Sequence, residues 1–210
     1  MGTNLMQGVK NIMFDLGGVI IDLNRQHVID AFKAIGCEQI GLSLDNSHQQ
    51  GLFLDLDEGR ISPAQFHDKI REITGLNITD EAIDHAYNQF LVGIPLYKLQ
   101  MLRHLREHYK IIMLSNTNAI MFESEIPKLF TAEGLTMNDY FDRIFTSYEL
   151  GISKPDPRCF QAVIDQSGII PSETLFLDDS QANLDVAAQM GFKTYLALPY
   201  QDYSSIFNLH

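Results

Sequence analysis

The chain has 210 residues, 45% of them hydrophobic and 20% charged, a composition that can bury the core of a folded globular protein. Lysine and arginine number 15 against 27 aspartate and glutamate residues, so the formal net charge is −12. Proteins that bind a phosphate backbone need clustered cations, and this balance therefore argues against nucleic acid as a partner.

The sequence also points away from membranes and oxidising compartments. Cys37 and Cys159 are too few and too far apart for a disulfide framework, which favours a reducing compartment. The N-terminus lacks the basic start, apolar core and cleavage site of a signal peptide. No apolar run approaches the roughly 20 residues that span a bilayer. We therefore expect a cytoplasmic protein with no membrane partner, and we leave open whether it is a monomer or a homodimer.

The first predicted strand is the apolar run NIMFDL, residues 11–16, which Asp15 interrupts. A buried carboxylate costs free energy unless a cation or hydrogen bonds compensate, so an acid at this place indicates a functional site. Gly17 and Gly18 follow it, and they suit a tight turn because glycine has an unrestricted φ.

Residues 24–93 carry helix signals and no convincing buried strand. Ser62 can cap a helix that has Pro63 in its first turn. Thr79 starts another helix, which on its periodicity includes Leu91. This segment is therefore predicted to be all-helical.

Four more apolar runs follow at helix-length intervals, at residues 110–115, 143–147, 174–179 and 193–198. Strands that are apolar on both faces and alternate with helices are typical of a parallel sheet covered on two sides. The predicted fold is α/β, a doubly wound parallel sheet with an all-helical insertion after the first strand.

Gly93 and Pro95 break the helical pattern and mark a hinge back into the sheet. The chain is accordingly divided into a core of residues 1–23 and 94–210 and a helical insertion of residues 24–93.

Ligands of such sheets bind beyond the carboxyl ends of the strands, so polar residues there are the candidates for a site. They are Asp15, Ser115, Asn116, Lys154, Asp178 and Asp179. Three acids together are better explained by a metal, and oxygen donors without nearby cysteine or histidine favour Mg²⁺. Phosphate would then bind between the ion and Lys154, and Asp15 would be free to attack phosphorus.

Four segments, in chain order, resemble the motifs of haloacid dehalogenase-like hydrolases: FDLGGVIID, LSNTN, GISKPDP and FLDDSQANLD. The resemblance implies a Rossmann-like core, with the insertion as the small cap domain of that family. It implies Asp15 as nucleophile, Ser115 as a phosphate ligand and Lys154 as the motif lysine. It also implies Asp179 as a direct metal ligand, with Asp178 acting on the metal's water shell or on Lys154.

Gly17 is where this chain departs from the family pattern. By the resemblance, Asn116, Gly17 and Gly18 complete the phosphate site, and the carbonyl of Gly17 joins Asp15 as a metal ligand. Phosphatases of the family usually have a second aspartate at the place of Gly17, which protonates the leaving group. A positioned general acid contributes roughly 10²–10⁴-fold.

The DLG motif with this cap resembles a branch that includes sugar-1-phosphate phosphatases and lies near the phosphatase domain of bifunctional epoxide hydrolases. An anomeric sugar phosphate has a more acidic leaving oxygen than an ordinary alcohol, so its cleavage needs less protonation. Glycine at this place therefore does not imply an inactive protein.

Three residues at the entrance to the insertion are candidates for contacts with the substrate. His27 could donate the missing proton, because imidazole titrates near neutral pH, although a satisfied surface histidine is the commoner case. Asp22 fits a hinge, a donor or a helix cap, and Arg25 fits either a contact with the distal part of the substrate or a solvated side chain.

The leading hypothesis is a Mg²⁺-dependent phosphatase that hydrolyses a small phosphorylated metabolite, with sugar phosphates favoured, through an aspartyl-phosphate on Asp15. One alternative is a non-catalytic phosphometabolite-binding or regulatory protein. The other is a metal-free haloacid dehalogenase in which Asp15 attacks carbon. Gly17 counts against the dehalogenase, because that subgroup usually has an aromatic residue at this place.

Overall fold

The computed structural model describes residues 5–44 and 50–207. Its strands are β1 (Asn11–Phe14), β2 (Asp22–Leu23), β3 (Leu91–Gly93), β4 (Lys110–Ser115), β5 (Arg143–Thr146), β6 (Thr174–Asp178) and β7 (Lys193–Leu196). Five of them form one parallel sheet in the order β5-β4-β1-β6-β7. This confirms the predicted doubly wound α/β core, in which β1 lies between β4 and β6.

Strand β1 shows why these runs form a central sheet. Ile12 and Phe14 pack into one hydrophobic cluster, which continues into the helical insertion, while Met13 packs into a second cluster on the opposite face. All three side chains are fully buried. Apolar side chains on both faces are what a strand covered by helices on two sides requires.

Helices cover the sheet and build the insertion. They are α1 (Arg25–Ala34), α2 (Glu38–Leu42), α3 (Gly51–Asp57), α4 (Pro63–Thr74), α5 (Asp80–Asn88), α6 (Leu96–Arg106), α7 (Ala119–Ser124), α8 (Ile126–Leu129), α9 (Met137–Tyr140), α10 (Ser147–Leu150), α11 (Pro157–Ser167) and α12 (Gln181–Gln189). None of these helices is both long and apolar enough to cross a bilayer.

The predicted caps of the insertion helices are present. Ser62 forms a capping box with Gln65 at the start of α4, with Pro63 in the first turn, and Thr79 accepts from the backbone of α5. Phe53 and Phe66 pack against Tyr87 with ring centroids 5.2 and 5.7 Å away. This aromatic cluster gives the insertion an apolar centre of its own.

One detail of the insertion differs from the prediction. Helix α5 ends at Asn88, and Leu91 belongs to strand β3, which pairs antiparallel with β2. The chain thus enters and leaves the insertion side by side, and backbone hydrogen bonding between these segments overrides the helical periodicity. Residues 1–4, 45–49 and 208–210 of the predicted domain ranges lie outside the described residues.

Candidate active site

The carboxyl ends of the three central strands meet at a cavity of about 320 Å³. Asp15 follows β1, Asn116 follows β4 and Asp179 follows β6, and all three line this cavity. Lys154 reaches it from the loop after α10. The opposite wall comes from the insertion, so the cavity lies between the sheet edge and the helices.

Lys154 holds two acids together at the floor of the cavity. Its side chain is 1% exposed, and Nζ donates to Asp15 Oδ1 at 2.7 Å and to Asp178 Oδ2 at 2.8 Å. Burial alone would lower the pKa of Lys154, but the charges of Asp15 and Asp178 outweigh it and raise that pKa. Lys154 therefore remains a cation in the interior.

Neighbouring residues fix the orientation of this pair. Asn116 donates to the carbonyl of Lys154 and accepts from its N–H, each at 2.9 Å. Asp178 is fully buried and accepts from the Ser180 N–H at 2.8 Å and from Asn183 Nδ2 at 2.9 Å. These hydrogen bonds fix the Asp178 carboxylate in place. Asp178 can therefore hold the Lys154 side chain in one orientation.

The donor set fits a hard divalent cation. Asp15, Asp178 and Asp179 each offer an oxygen, and these atoms lie within 4.8 Å of one another. Asn183, whose Oδ1 is buried without a hydrogen-bond partner among the described residues, lines the same cavity. Clustered oxygen donors of this kind are the ligands that Mg²⁺ prefers.

The acids are costly to hold without such an ion. Burial raises the pKa of Asp15 to about 8, with Lys154 opposing the rise and the charges of Asp178 and Asp179 adding to it. Burial and the charge of Asp178 raise the pKa of Asp179 to about 6. A cation between them would favour the ionised forms.

Gly18 has a structural part in this arrangement. Its φ is +78°, and a Cβ there would collide with the carboxylate of Asp179. Its N–H donates to the Ile21 carbonyl at 2.8 Å, so this group is used by the turn rather than left for phosphate. The absence of a side chain at Gly18 therefore makes room for Asp179, and a role for Gly18 in phosphate binding stays a prediction.

The remaining predicted phosphate and metal residues divide into two groups. Asp15, Gly17, Asn116, Lys154 and Asp179 line the cavity. Ser115 and Asp178 lie behind it, and the Ser115 hydroxyl makes one described contact, with the Asn116 carbonyl at 3.4 Å. A role for Ser115 in phosphate binding stays a prediction.

The three candidates at the entrance do not line the cavity. Asp22 is occupied by an ion pair with Lys98 at 2.9 Å, and Arg25 Nε donates to the Leu44 carbonyl at 2.7 Å just beyond the end of α2. His27 lines a separate depression between α1 and α5. Asp22 and Arg25 thus have local partners away from the cavity, and a contact of these three side chains with the substrate stays a prediction.

A family model described as "haloacid dehalogenase-like hydrolase" matches residues 9–191, which is most of the chain. The chain belongs to this hydrolase family. The family that the four separated motifs predicted is thus confirmed.

Three similar proteins illustrate the relationship. The hydrolase is 38% identical over 187 residues to the D-ribitol-5-phosphate phosphatase of Bacteroides thetaiotaomicron, covering 89% of this chain and 91% of that protein. It is 42% identical, with a TM-score of 0.90, to a HAD family enzyme of the same organism in complex with magnesium and inorganic phosphate, covering 95% of this chain and 99% of that one. It also matches bifunctional epoxide hydrolase 2 of Rattus norvegicus, 31% identical over 80 residues, 38% of this chain and 14% of that protein.

One acid of the hydrolase that the motifs did not single out is Asp57, a buried residue at the end of α3. Asp57 is 5% exposed and lines the cavity from the insertion side. Asn118 Nδ2 donates to its Oδ1 at 2.8 Å and to the hydroxyl of Tyr87 at 3.1 Å. Asp57 follows the buried Phe53 by four residues, so helical periodicity placed it on the inward face and was the available signal.

The pKa of Asp57 predicts a pH-dependent cost to stability. Burial raises this pKa to about 7, with the hydrogen bond from Asn118 opposing the rise and the charge of Glu58 adding to it. The folded state then keeps a proton that the unfolded chain releases near pH 4, so the free energy of unfolding falls as pH rises from about 4 to about 7.

We therefore expect Asp57→Asn, which stays neutral and keeps an acceptor for Asn118, to match the wild type near pH 4. Above pH 7 the variant should be more stable by up to ~4 kcal/mol, at ~1.4 kcal/mol per pKa unit. Urea unfolding at pH 4, 6 and 8 measures this difference. A gap that does not widen with pH would contradict the raised pKa.

Proposed function

We propose that this protein is a Mg²⁺-dependent phosphatase that hydrolyses a small phosphorylated metabolite, with sugar phosphates favoured, through an aspartyl-phosphate on Asp15. The observation that carries the proposal is the position of Asp15, which lines the cavity, contacts Lys154 and belongs to a cluster of three carboxylates. The similarity to a D-ribitol-5-phosphate phosphatase supports a phosphorylated sugar or sugar alcohol as substrate.

Asp15, Asp179 and the carbonyl of Gly17 would hold the magnesium ion, with Asp178 behind them. When bound, the ion supplies positive charge to the phosphoryl oxygens and to the acids around it. Lys154 adds a second cation to the floor, which favours the ionised form of Asp15 and binding of a phosphate dianion.

The chain's own residues then perform the displacement. An oxygen of Asp15 attacks phosphorus, the bond to the leaving oxygen breaks, and water afterwards releases phosphate from Asp15. Lys154 keeps the attacking carboxylate in place through its 2.7 Å contact, and Asn116 keeps Lys154 in place. This geometry confines the reaction to one position on the sheet edge.

The helical insertion, residues 24–93, serves in this proposal as the cap that closes over the leaving group. Leu54, Tyr87 and Phe90 from this segment line the cavity and provide apolar surface above the polar floor. The two cysteines are free, which suits a cytoplasmic enzyme. We extend the proposal to a monomer or homodimer that acts on small metabolites.

Removal of divalent metal should abolish turnover. With Mg²⁺, phosphate should be released from members of a panel that includes pentitol, aldose and anomeric sugar phosphates. Excess EDTA should lower the rate at least ~10²-fold, because the phosphoryl charge and the clustered acids then lack their cation. Added Mg²⁺ should restore the rate.

Three other results would point to a different function. Undiminished phosphate release in EDTA would overturn the metal-dependent proposal. Halide release from 2-haloacids without metal would identify a dehalogenase. Ligand-induced thermal stabilisation without any turnover would identify a binding protein.

A further inference from the structure

By the family resemblance, Gly17 leaves the leaving-group oxygen without a proton donor. Among the described residues that line the cavity, Asp57 is the one buried acid outside the metal cluster. We infer that Asp57 exchanges a proton with the leaving group and with the attacking water, in place of the side chain that Gly17 lacks. This inference rests on the proposed phosphatase function and deepens it.

The position of Asp57 suits this role. In an in-line displacement the leaving oxygen lies on the side of phosphorus opposite the nucleophile. Asp15 lines the cavity from the carboxyl end of β1, whereas Asp57 lines it from the insertion. The insertion brings a second acid to the cavity, Glu58, but its carboxylate pairs with Arg60 and accepts from the Ser153 N–H. A leaving group that enters the cavity beneath the insertion therefore meets Asp57 as the carboxyl without a charged partner.

One oxygen of Asp57 is held and the other is available. Oδ1 accepts from Asn118, whereas none of the described residues donates to Oδ2. Asn118 directly follows Asn116 and Thr117, which line the cavity. This hydrogen bond therefore anchors Asp57 to the segment that forms part of the floor. A carboxyl fixed at one oxygen can present the other to a substrate.

The backbone of Asp57 is also tied to the core. The hydroxyl of Ser147 lies 2.5 Å from the carbonyl of Asp57 and accepts from the Thr117 N–H at 3.0 Å. The next residue, Glu58, accepts from the Ser153 N–H at 3.1 Å. These contacts set the end of α3 against both loops that carry the floor residues, so Asp57 is preorganised.

The surroundings of Asp57 keep a proton available near neutral pH. The titratable groups that face it are Glu58, the residue after the end of α3, and Tyr87 on α5, while the core presents the uncharged Asn118 and Ser147. Its pKa of about 7 matches that of an efficient general acid and base at physiological pH.

Asp57 donates one proton in the first step and accepts one in the second. In the first step the bond from Asp15 to phosphorus forms, the bond to the leaving oxygen breaks, and the proton of Asp57 passes to that oxygen to give an alcohol. In the second step water attacks phosphorus, its proton passes to Asp57, and the bond to Asp15 breaks. Phosphate leaves and Asp57 is again protonated.

The test compares Asp57→Asn with the wild type on leaving groups of different acidity. Asp55→Asn is the matched control, because Asp55 lies on the same helix but pairs with the exposed Arg60. For a pentitol phosphate we expect kcat/KM of Asp57→Asn to fall roughly 10²–10³-fold. For p-nitrophenyl phosphate and acetyl phosphate, whose leaving groups need little protonation, the fall should stay below about 10-fold. The decline of the wild-type rate above pH 7 on the pentitol phosphate should also disappear.

Three results would overturn the inference. An equal fall on all substrates would make Asp57 structural, which thermal unfolding would show independently. Among substrates whose leaving groups have the same acidity, a fall in kcat/KM that grows with the number of substrate hydroxyls would make Asp57 a substrate-binding group. Unchanged rates would leave it without a role in turnover. Each of these leaves the proposed function intact, whereas a wild type that releases no phosphate would reject that function itself.

Discussion

Asp15→Asn should abolish phosphate release while leaving the fold intact. An amide oxygen is a poor nucleophile, so no aspartyl-phosphate can form, and we expect kcat to fall at least ~10³-fold. Asparagine has nearly the same shape and keeps an acceptor for Lys154, which contacts Asp15 at 2.7 Å. Steady-state phosphate release on the best substrate measures the change.

Stability provides the control for this variant. Burial raises the pKa of Asp15 to about 8, so the ionised carboxylate is expensive to hold when no metal is bound. A neutral amide removes that cost, and Asp15→Asn in EDTA should unfold at a temperature no lower than that of the wild type. A folded variant that still releases phosphate at the wild-type rate would show that Asp15 is not the nucleophile.

Lys154→Met should have the second largest effect, because it removes both a catalytic cation and a structural one. The Lys154 ammonium is the partner of Asp15 at 2.7 Å and of Asp178 at 2.8 Å. Its loss should lower kcat roughly 10²–10³-fold through lost stabilisation of phosphoryl charge. Leaving two buried acids without it should cost about 3–5 kcal/mol of stability. Phosphate release and urea unfolding at pH 7.5 measure the two effects.

The chain offers a matched control in Lys98. This lysine is also 1% exposed and pairs with a single aspartate, Asp22 at 2.9 Å, but neither residue lines the cavity. Lys98→Met should therefore lose stability while the folded fraction keeps its turnover. Equal losses of turnover in Lys98→Met and Lys154→Met would mean that Lys154 contributes only to folding.

Much of the fold was predictable because strong local signals agreed with the global arrangement. The run at residues 110–115 is apolar on both faces, and β4 occupies this range. Ser62 is the N-cap of α4, and Pro63 occupies the first turn, where a backbone N–H has no partner within the helix. The strands β2 and β3 were missed because two- and three-residue strands carry no periodicity, and their pairing joins segments about 70 residues apart.

The candidate site was predictable to the extent that strand ends determine it. Asp15 and Asp179 are placed by the sheet, and any parallel arrangement with β1 beside β6 brings them together. Helical periodicity puts Asp57 on the inward face of α3, but its place in the cavity depends on how the insertion packs on the core, which no local pattern specifies. Asp22 shows the converse, since the sequence did not reveal Lys98 as its partner.

The most direct test of the central claim is a crystal structure grown with Mg²⁺ and beryllium trifluoride, a mimic of the phosphoryl group. We predict beryllium bonded to a carboxylate oxygen of Asp15, the ion held by Asp15, Asp179 and the Gly17 carbonyl, and Lys154 in contact with fluoride. An ion bound elsewhere, or an unmodified Asp15 beside a mimic on another residue, would contradict the account.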